Sequence, residues 1–417
     1  MSGPARDMQR AQFRQLMILI AVAFIDMIGF MLVLPVLPFY ALRMDATPVQ
    51  VGWIFAAFSI AQLLSAPVWG RVSDRYGRRP ALLIGLGASA IAYIVFGFAD
   101  TLWLLFLSRF VQGAGGGTTG VAQAYVADTV RPADRARALG WLSSASSAGV
   151  IVGPIIGTFA ARLGTEAPGL IAAAFCIVNA LFAWRWLPES RVHAAGHAPA
   201  PRPIWAPTLQ AILTPRAPVS RLIWIYGVGM LAFSSLTSIL PLYLEAEFRV
   251  DERTFGLFLT YFGVLSIVMR VALLGPIVDR IGERWTMRAG CLMLIAGFLL
   301  YPVATNIWAL AIAVMPLVPI GTALLFPSTT SLISASTPRH ELGVTMGVAQ
   351  TFAGLARVIA PLFATKVFQD LGHRWPFLAS AGLVLLVGLL AVRVPPSPEE
   401  PAADAAPDPA PAGTPAR

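Results

Sequence analysis

Apolar runs of about 20 residues recur along nearly the whole chain, cut by short breaks rich in arginine, glycine and proline. A helix of roughly that length crosses about 30 Å of hydrocarbon at 1.5 Å per residue. Twelve runs can be marked off, at 15–41, 50–70, 80–99, 102–127, 137–161, 167–187, 221–245, 254–275, 286–304, 306–335, 342–365 and 374–394. Stretches such as "LLIGLGASAIAYIVFGFA" are apolar on every face, which rules out the short, alternating strands of a membrane barrel. The pattern predicts an all-α polytopic membrane protein.

One long polar, Pro-rich break falls near the middle: "PESRVHAAGHAPAPRPIWAPTLQAILTPRAPVS", residues 188–220. It reads as a linker between a six-helix bundle over 1–187 and a second over 221–395. Trp205 and "ILTP" within it suggest a short helix on the membrane surface. The segment 396–417, polar and rich in Pro and Ala, is predicted to be disordered.

A charged hairpin is written twice. "GRVSDRYGRRP" at 70–80 and "GPIVDRIGER" at 275–284 match at Gly70 and Gly275, Asp74 and Asp279, Arg75 and Arg280, Gly77 and Gly282, and Arg79 and Arg284, all at an offset of 205. Pro35 with Pro241, Gly52 with Gly256, Pro132 with Pro338, Gly140 with Gly347 and Pro154 with Pro361 keep offsets of 204 to 207. The halves are therefore a tandem repeat of six helices each. An even helix number preserves orientation, so the repeat axis runs along the membrane normal.

Charge adds direction. Of the 30 Lys and Arg residues, 21 fall in segments on the amino-terminal side of the membrane and six in the opposite loops. By the positive-inside rule both termini are expected in the cytoplasm. The net charge of +9 is thus mostly a topology signal, dispersed over short loops, and nucleic acid is not an expected partner. A hydrophobic share of 57% and a mean hydropathy of +0.72 exceed what a soluble core could bury, so the lipid bilayer is the expected surrounding. The first apolar run is too long for a cleavable signal peptide and contains Asp26. Cys176 and Cys291 lack metal-type spacing and read as reduced packing residues. His193, His197, His340 and His373 all fall in loops or at helix ends, so no metal site and no cofactor is expected.

Charges inside the spans are the candidates for chemistry. Asp26 is the only acid deep in any span. A charge there costs about 2.5–3.5 kcal/mol on insertion scales. Burial favours the neutral form of a carboxylate, as a reversible proton carrier requires, although a structural acid paired with arginine is the alternative. Arg109 shares a helix face with Gln112 and Gly113, and it either modulates a nearby carboxylate or serves as the constant partner of Asp26. Arg270 and Arg357 are the other cations within spans; one acid against three arginines makes the cavity electropositive or open to water. Ser235, Ser238, Tyr261, Phe326, Gln350 and Phe352 could line a substrate pocket or be core or lipid-facing residues. Gly149, Gly153 and Gly157 at four-residue steps beside Pro154 form a smooth, kinked packing face.

The doubled hairpin resembles the signature loop of the major facilitator superfamily, over about residues 10–395. "DMIGFMLVLPVLP", "LSRFVQGAGGG", "AYVADTVRPADRARALG", "GVIVGPIIGT" and "WLPES" are similar to segments of its twelve-helix drug:proton antiporters, the amino-terminal half being nearest to tetracycline efflux pumps. The resemblance implies two pseudo-symmetric six-helix bundles rocking about a central site. It implies that Asp74, Arg75 and Arg78, with Gly70, Gly77 and Asp128, gate the cytoplasmic side. Asp279 and Arg280 repeat this, but Glu283 replaces the arginine. It also implies that Arg109 takes part in proton coupling and that the Gly149–Gly157 motif favours export. Tetracycline pumps carry an acid in the ninth helix, whereas "MRAGCLMLIAGFLLYPVAT" has none, leaving tetracycline and a broader amphipathic drug or metabolite both open.

Three classes follow: a proton-coupled exporter of small amphipathic molecules, a symporter or facilitator for a metabolite on the same fold, and a membrane enzyme or receptor. The last lacks a nucleophile–base constellation or phosphate-binding loop. The expected partners are a small-molecule substrate and protons, the expected state a monomer, and the expected location a bacterial cytoplasmic membrane.

Overall fold

A computed structural model describes residues 4–116, 118–131, 134–190, 205–214, 217–338 and 341–394, which form helices joined by short turns with no strand among them. The chain runs α1 (Pro4–Val33), α2 (Leu37–Arg43), α3 (Pro48–Tyr76), α4 (Arg78–Gly97), α5 (Leu102–Gly115), α6 (Thr118–Thr129), α7 (Arg135–Leu163) and α8 (Ala167–Trp186). After α9 (Trp205–Leu213) come α10 (Pro218–Phe248), α11 (Glu252–Val268), α12 (Leu274–Leu300), α13 (Ile307–Ala309), α14 (Leu317–Ala335), α15 (Leu342–Leu371) and α16 (Trp375–Val392). Short π-helical stretches, Met269–Leu273 and Leu310–Val314, join α11 to α12 and follow α13.

Among the described residues ten helical stretches are long and apolar enough to cross a membrane. One of them, Glu252–Val303, holds two of the twelve expected spans, folded back at Gly282. The expected fourth span falls on α5 and α6, on either side of residue 117. The ten stretches thus hold eleven of the expected spans, and α5 with α6 supplies the twelfth. The longest helices have 29 to 31 residues, about 45 Å, so their ends project beyond the hydrocarbon.

The first span departs from the continuous helix expected over 15–41. It stops at Val33, turns through residues 34–36 and resumes as α2, because Pro35 and Pro38 lack an N–H and disfavour helix in the residue before them. The expected linker helix is α9; residues 191–204 of the linker and the tail from 395 lie outside the described residues.

Local signals set several helix starts. Thr47 and Gln50 form a reciprocal capping box at α3, and Asp251 accepts from the Thr254 N–H at the start of α11 (3.0 Å). Gly77 has φ of +104° and Gly282 of +76°, backbone that a side chain would strain, and each reverses the chain in its copy of the hairpin.

Packing repeats between the halves. α1 lies on α7 as α10 lies on α15, α4 on α8 as α12 on α16, and α3 on α5 as α11 on α14. Two broad contacts join the halves, α3 with α15 and α7 with α11.

Candidate functional site

Those two inter-half contacts are built alike. A Cβ on Gly52 of α3 would lie 2.1 Å from Thr365 Oγ1 and 2.8 Å from the Pro361 carbonyl of α15. One on Gly256 of α11 would lie 1.7 Å from Thr158 Oγ1 and 2.9 Å from the Pro154 carbonyl of α7. In each socket the threonine hydroxyl donates to the proline carbonyl one turn back, at 2.7 and 2.8 Å. Only a glycine fits. Both sockets lie towards the end of the molecule opposite the arginine-rich hairpins, where Arg43 pairs with Glu252, the Val49 N–H donates to Gln369 (3.3 Å), and Phe39 meets Phe255 at 5.7 Å.

The other face of α7 carries the small-residue motif. Cβ atoms on Gly149, Gly153 and Gly157 would lie 2.7 Å from Met27 Cβ, 2.5 Å from Met31 Cβ and 2.3 Å from the Leu32 carbonyl, all on α1. The motif therefore seats α7 on α1 while Pro154 and Thr158 present the opposite side to α11.

Asp26, on α1, accepts a hydrogen bond from the Thr118 hydroxyl of α6 at 3.2 Å. No salt bridge among the described residues includes it. Its carboxylate borders a crevice of about 30 Å³ lined also by Thr118, Thr119, Ser146, Leu86 and Met27. Such a space suits a water molecule and is far below the roughly 300 Å³ of a drug-sized site.

Arg109 is separate from Asp26. The residue is 2% exposed, and its guanidinium donates to Gln112 and lies over the rings of Phe58 (4.9 Å) and Phe30 (5.6 Å). Gln112 in turn donates to the Tyr93 hydroxyl on α4. Cation–π contact of this desolvated kind is worth about 2 kcal/mol, which offsets part of the burial. The constant Asp26–Arg109 pair weighed from sequence is absent.

At the first hairpin Arg78 is the hub. It pairs with Asp74 (2.8 Å) and Asp128 (2.9 Å) and donates to Ser73 (2.7 Å), all partners within its own half. Arg75 lies over the Tyr76 ring. Glu189, from "WLPES", accepts from the backbone N–H groups of Arg78 and Arg79 and caps α4; a Cβ on Gly77 would collide with it at 2.5 Å. Sequence reasoning missed Glu189 as a cap, although its place after the sixth span was the available signal. In the second copy Glu283 accepts from Ser331, and Asp279 and Arg280 are exposed. A Cβ on Gly70 or Gly275 would meet nothing within 4 Å in this conformation.

The pocket candidates of the second half separate. Ser235 and Ser238 are buried and donate to carbonyls of their own helix, so they belong to the core. Phe352 packs edge-on to Trp224 (5.3 Å), and Phe326 meets Tyr226 (5.6 Å) and Phe233 (6.2 Å). Gln350, Arg357 and Arg270 are exposed, as is Tyr261 at 40%. Arg357 lies on the α15 face that holds Gly354 and Pro361, and Arg270 falls seven residues beyond Gly263, itself seven beyond Gly256. A Cβ on Gly354 would lie 3.2 Å from Leu63 and one on Gly263 3.4 Å from Ile151, both of the first half, so both arginines lie on faces directed at the seam between halves.

A larger opening of about 440 Å³, among Pro207, Gln210, Val219, Glu341 and Thr345, lies beside α9. It contains none of the charges deep in the spans, and the cleft with its arginines is the better candidate. No group of three His, Cys, Asp or Glu that could hold a metal ion occurs among the described residues.

Two repeated halves thus meet along a seam and carry charged side chains within membrane-spanning lengths, the arrangement of a polytopic transporter. A family model described as the Major Facilitator Superfamily matches residues 19–273 and 222–415, and the chain belongs to that superfamily. The chain is 30% identical over 379 residues to the class C tetracycline resistance protein of Escherichia coli, covering 87% of this chain and 92% of the relative. It is 28% identical over 377 residues to multidrug resistance protein 2 of Bacillus subtilis (strain 168), covering 89% and 92%. The crystal structure of the human organic anion transporter MFSD10 (TETRAN) shares the fold with a TM-score of 0.66 at 24% identity, covering 91% of this chain and 99% of that one.

Proposed function

We propose that the protein is a proton-coupled exporter of small amphipathic molecules, working as a monomer by alternating access in a bacterial cytoplasmic membrane with both termini inside. The observation that carries this reading is Asp26: a membrane-embedded carboxylate in a water-sized crevice, held by one hydroxyl and free of a cationic partner among the described residues. A group so placed can change protonation without breaking an ion pair. Arg109, Gln112 and Tyr93 form the neighbouring polar network in the same half.

The sockets at Gly52 and Gly256 support a conformation closed at the outer end. The open surroundings of Gly70 and Gly275 leave room for the cytoplasmic ends to approach in the alternate state. There Asp74, Arg75 and Arg78, set by Asp128 and Glu189, act as the gate. The division into halves at 1–187 and 221–395 is part of the same reading, as is the export direction suggested by relatives named for tetracycline and multidrug resistance.

The test is proton movement in acidified everted vesicles across a panel of drugs. The expected result is alkalinisation of the vesicle interior by at least one compound, lost in Asp26→Asn. Substrate and protons moving in the same direction would instead establish a symporter.

A further inference from the structure

We propose that the cleft between the halves binds a small aromatic molecule bearing an anionic group, a carboxylate or sulfonate, through Arg270 and Arg357. The inference rests on the transporter reading above and adds the charge of the cargo. The two guanidiniums come from opposite sides of the second half, Arg270 from the π-helical stretch after α11 and Arg357 from α15, and Tyr226 of α10 lies within electrostatic reach of both. Both side chains are exposed, on faces that look towards the first half.

Neither is paired with an acid among the described residues. Arg357 donates to the Ala353 carbonyl of its own helix, and no salt bridge among the described residues includes either arginine. The acids of the second half, from Glu245 to Asp370, all lie at helix ends or in turns. The contrast with Arg109 is direct: that cation is enclosed by two rings and an amide, whereas these two face the cleft. A cation retained at membrane depth marks a functional site by default, and with no acid paired to either arginine among the described residues both can take an anionic partner from outside the protein. Guanidinium forks match planar or trigonal oxyanions, so the chemistry selects a carboxylate or sulfonate.

The surroundings supply the rest of the ligand. The half-buried rings of Trp224, Phe326 and Phe233, backed by the buried Phe352 and Tyr226, lie on helices that carry or adjoin the arginines and offer edges to an aromatic body. Gln350, one face-turn from Gly354 and exposed, adds a neutral donor and acceptor. The π-helical turn at Arg270 adds a residue to the helical repeat, the kind of local widening that recurs at ligand sites.

The experiment measures binding of 2-naphthoate, naphthalene-2-sulfonate, 2-naphthamide and trimethyl(2-naphthyl)ammonium to the full chain in lipid nanodiscs, by calorimetry. The anions are expected to bind about tenfold or more tightly than the amide or the cation. Arg357→Gln and Arg270→Gln should each lose about tenfold for the anions and leave the amide unchanged, with Arg357→Lys recovering part. Equal loss for the amide marks a structural role and overturns the assignment. So does tighter binding of the cation, absence of anion binding, or anion binding that ignores both variants. Export of the four probes from everted vesicles separates the two readings: export confined to the cation overturns the anion site and leaves the transporter reading standing, whereas anion binding with no transport of any probe, and no proton movement across the drug panel, does the reverse.

Discussion

The two halves share a backbone plan but not the charges within their spans. Nine residues before Pro35 stands Asp26; nine before Pro241 stands the buried Ala232. Five before Gly275 stands Arg270, and five before Gly70 is Ser65, which donates to carbonyls of α3 and α5. Four before Pro361 is Arg357; four before Pro154 is Val150. What is duplicated is backbone geometry, in glycines, prolines and sockets, whereas the chemistry is divided: an acid held by one hydroxyl in one half, cations with no salt bridge among the described residues in the other. Duplication fixes how the halves move, and divergence of side chains decides what each half does.

The hairpins repeat the lesson on a smaller scale. Arg78 bridges two carboxylates and a serine, while Glu283, at the equivalent place, takes a single hydroxyl. The sign of the charge has reversed, yet a bond from the base of the third helix to the fourth has been kept in both copies.

The comparison can be broken most severely at Asp26. Asp26→Asn is expected to reduce substrate-driven proton movement to background, while Ala232→Ser leaves it measurable; fluorescence of a pH probe in everted vesicles reads both. Next are the sockets. Gly256→Ala and Gly52→Ala should each cost about 1–3 kcal/mol by overpacking and slow transport, and Thr158→Ala should partly rescue Gly256→Ala but not Gly52→Ala. Thermal melting in detergent checks this, and rescue that ignores the pairing would remove the two-socket description. Arg78→Ala follows, at about 2 kcal/mol for lost charge-assisted bonds in a partly exposed setting. The smallest effect belongs to Glu283→Gln, about 1 kcal/mol or less, since an amide can still accept from Ser331. Equal effects at 78 and 283 would mean that the hairpins do the same work after all.

The parts that could be read from sequence are those that physics restricts to few residue types. Glycines at Gly77 and Gly282 are needed for positive φ, apolar runs for hydrocarbon, and arginines for one face, so the repeat, the twelve spans and the hairpin charges are visible without coordinates. Asp26 stood out because an acid there is costly. Facing was hidden, since "SSLTS" offers hydroxyls equally suited to a pocket or to their own helix, and Ser235 and Ser238 took the latter course. Thr118, Tyr93 and Glu189 were also hidden as partners, because their roles depend on which helices meet. The break after Val33 was signalled by two prolines that the apolar run masked.

Two bodies pinned at two points keep a single rotation, about the line through the pins. While Gly52 and Gly256 remain seated against Thr365 and Thr158, the hairpin ends can swing together or apart along that one coordinate. To part at the pinned end, two like contacts on opposite sides of the cleft must release in the same event. The socket end is thereby held as a latch with two keys, and a single side chain added to either glycine jams it.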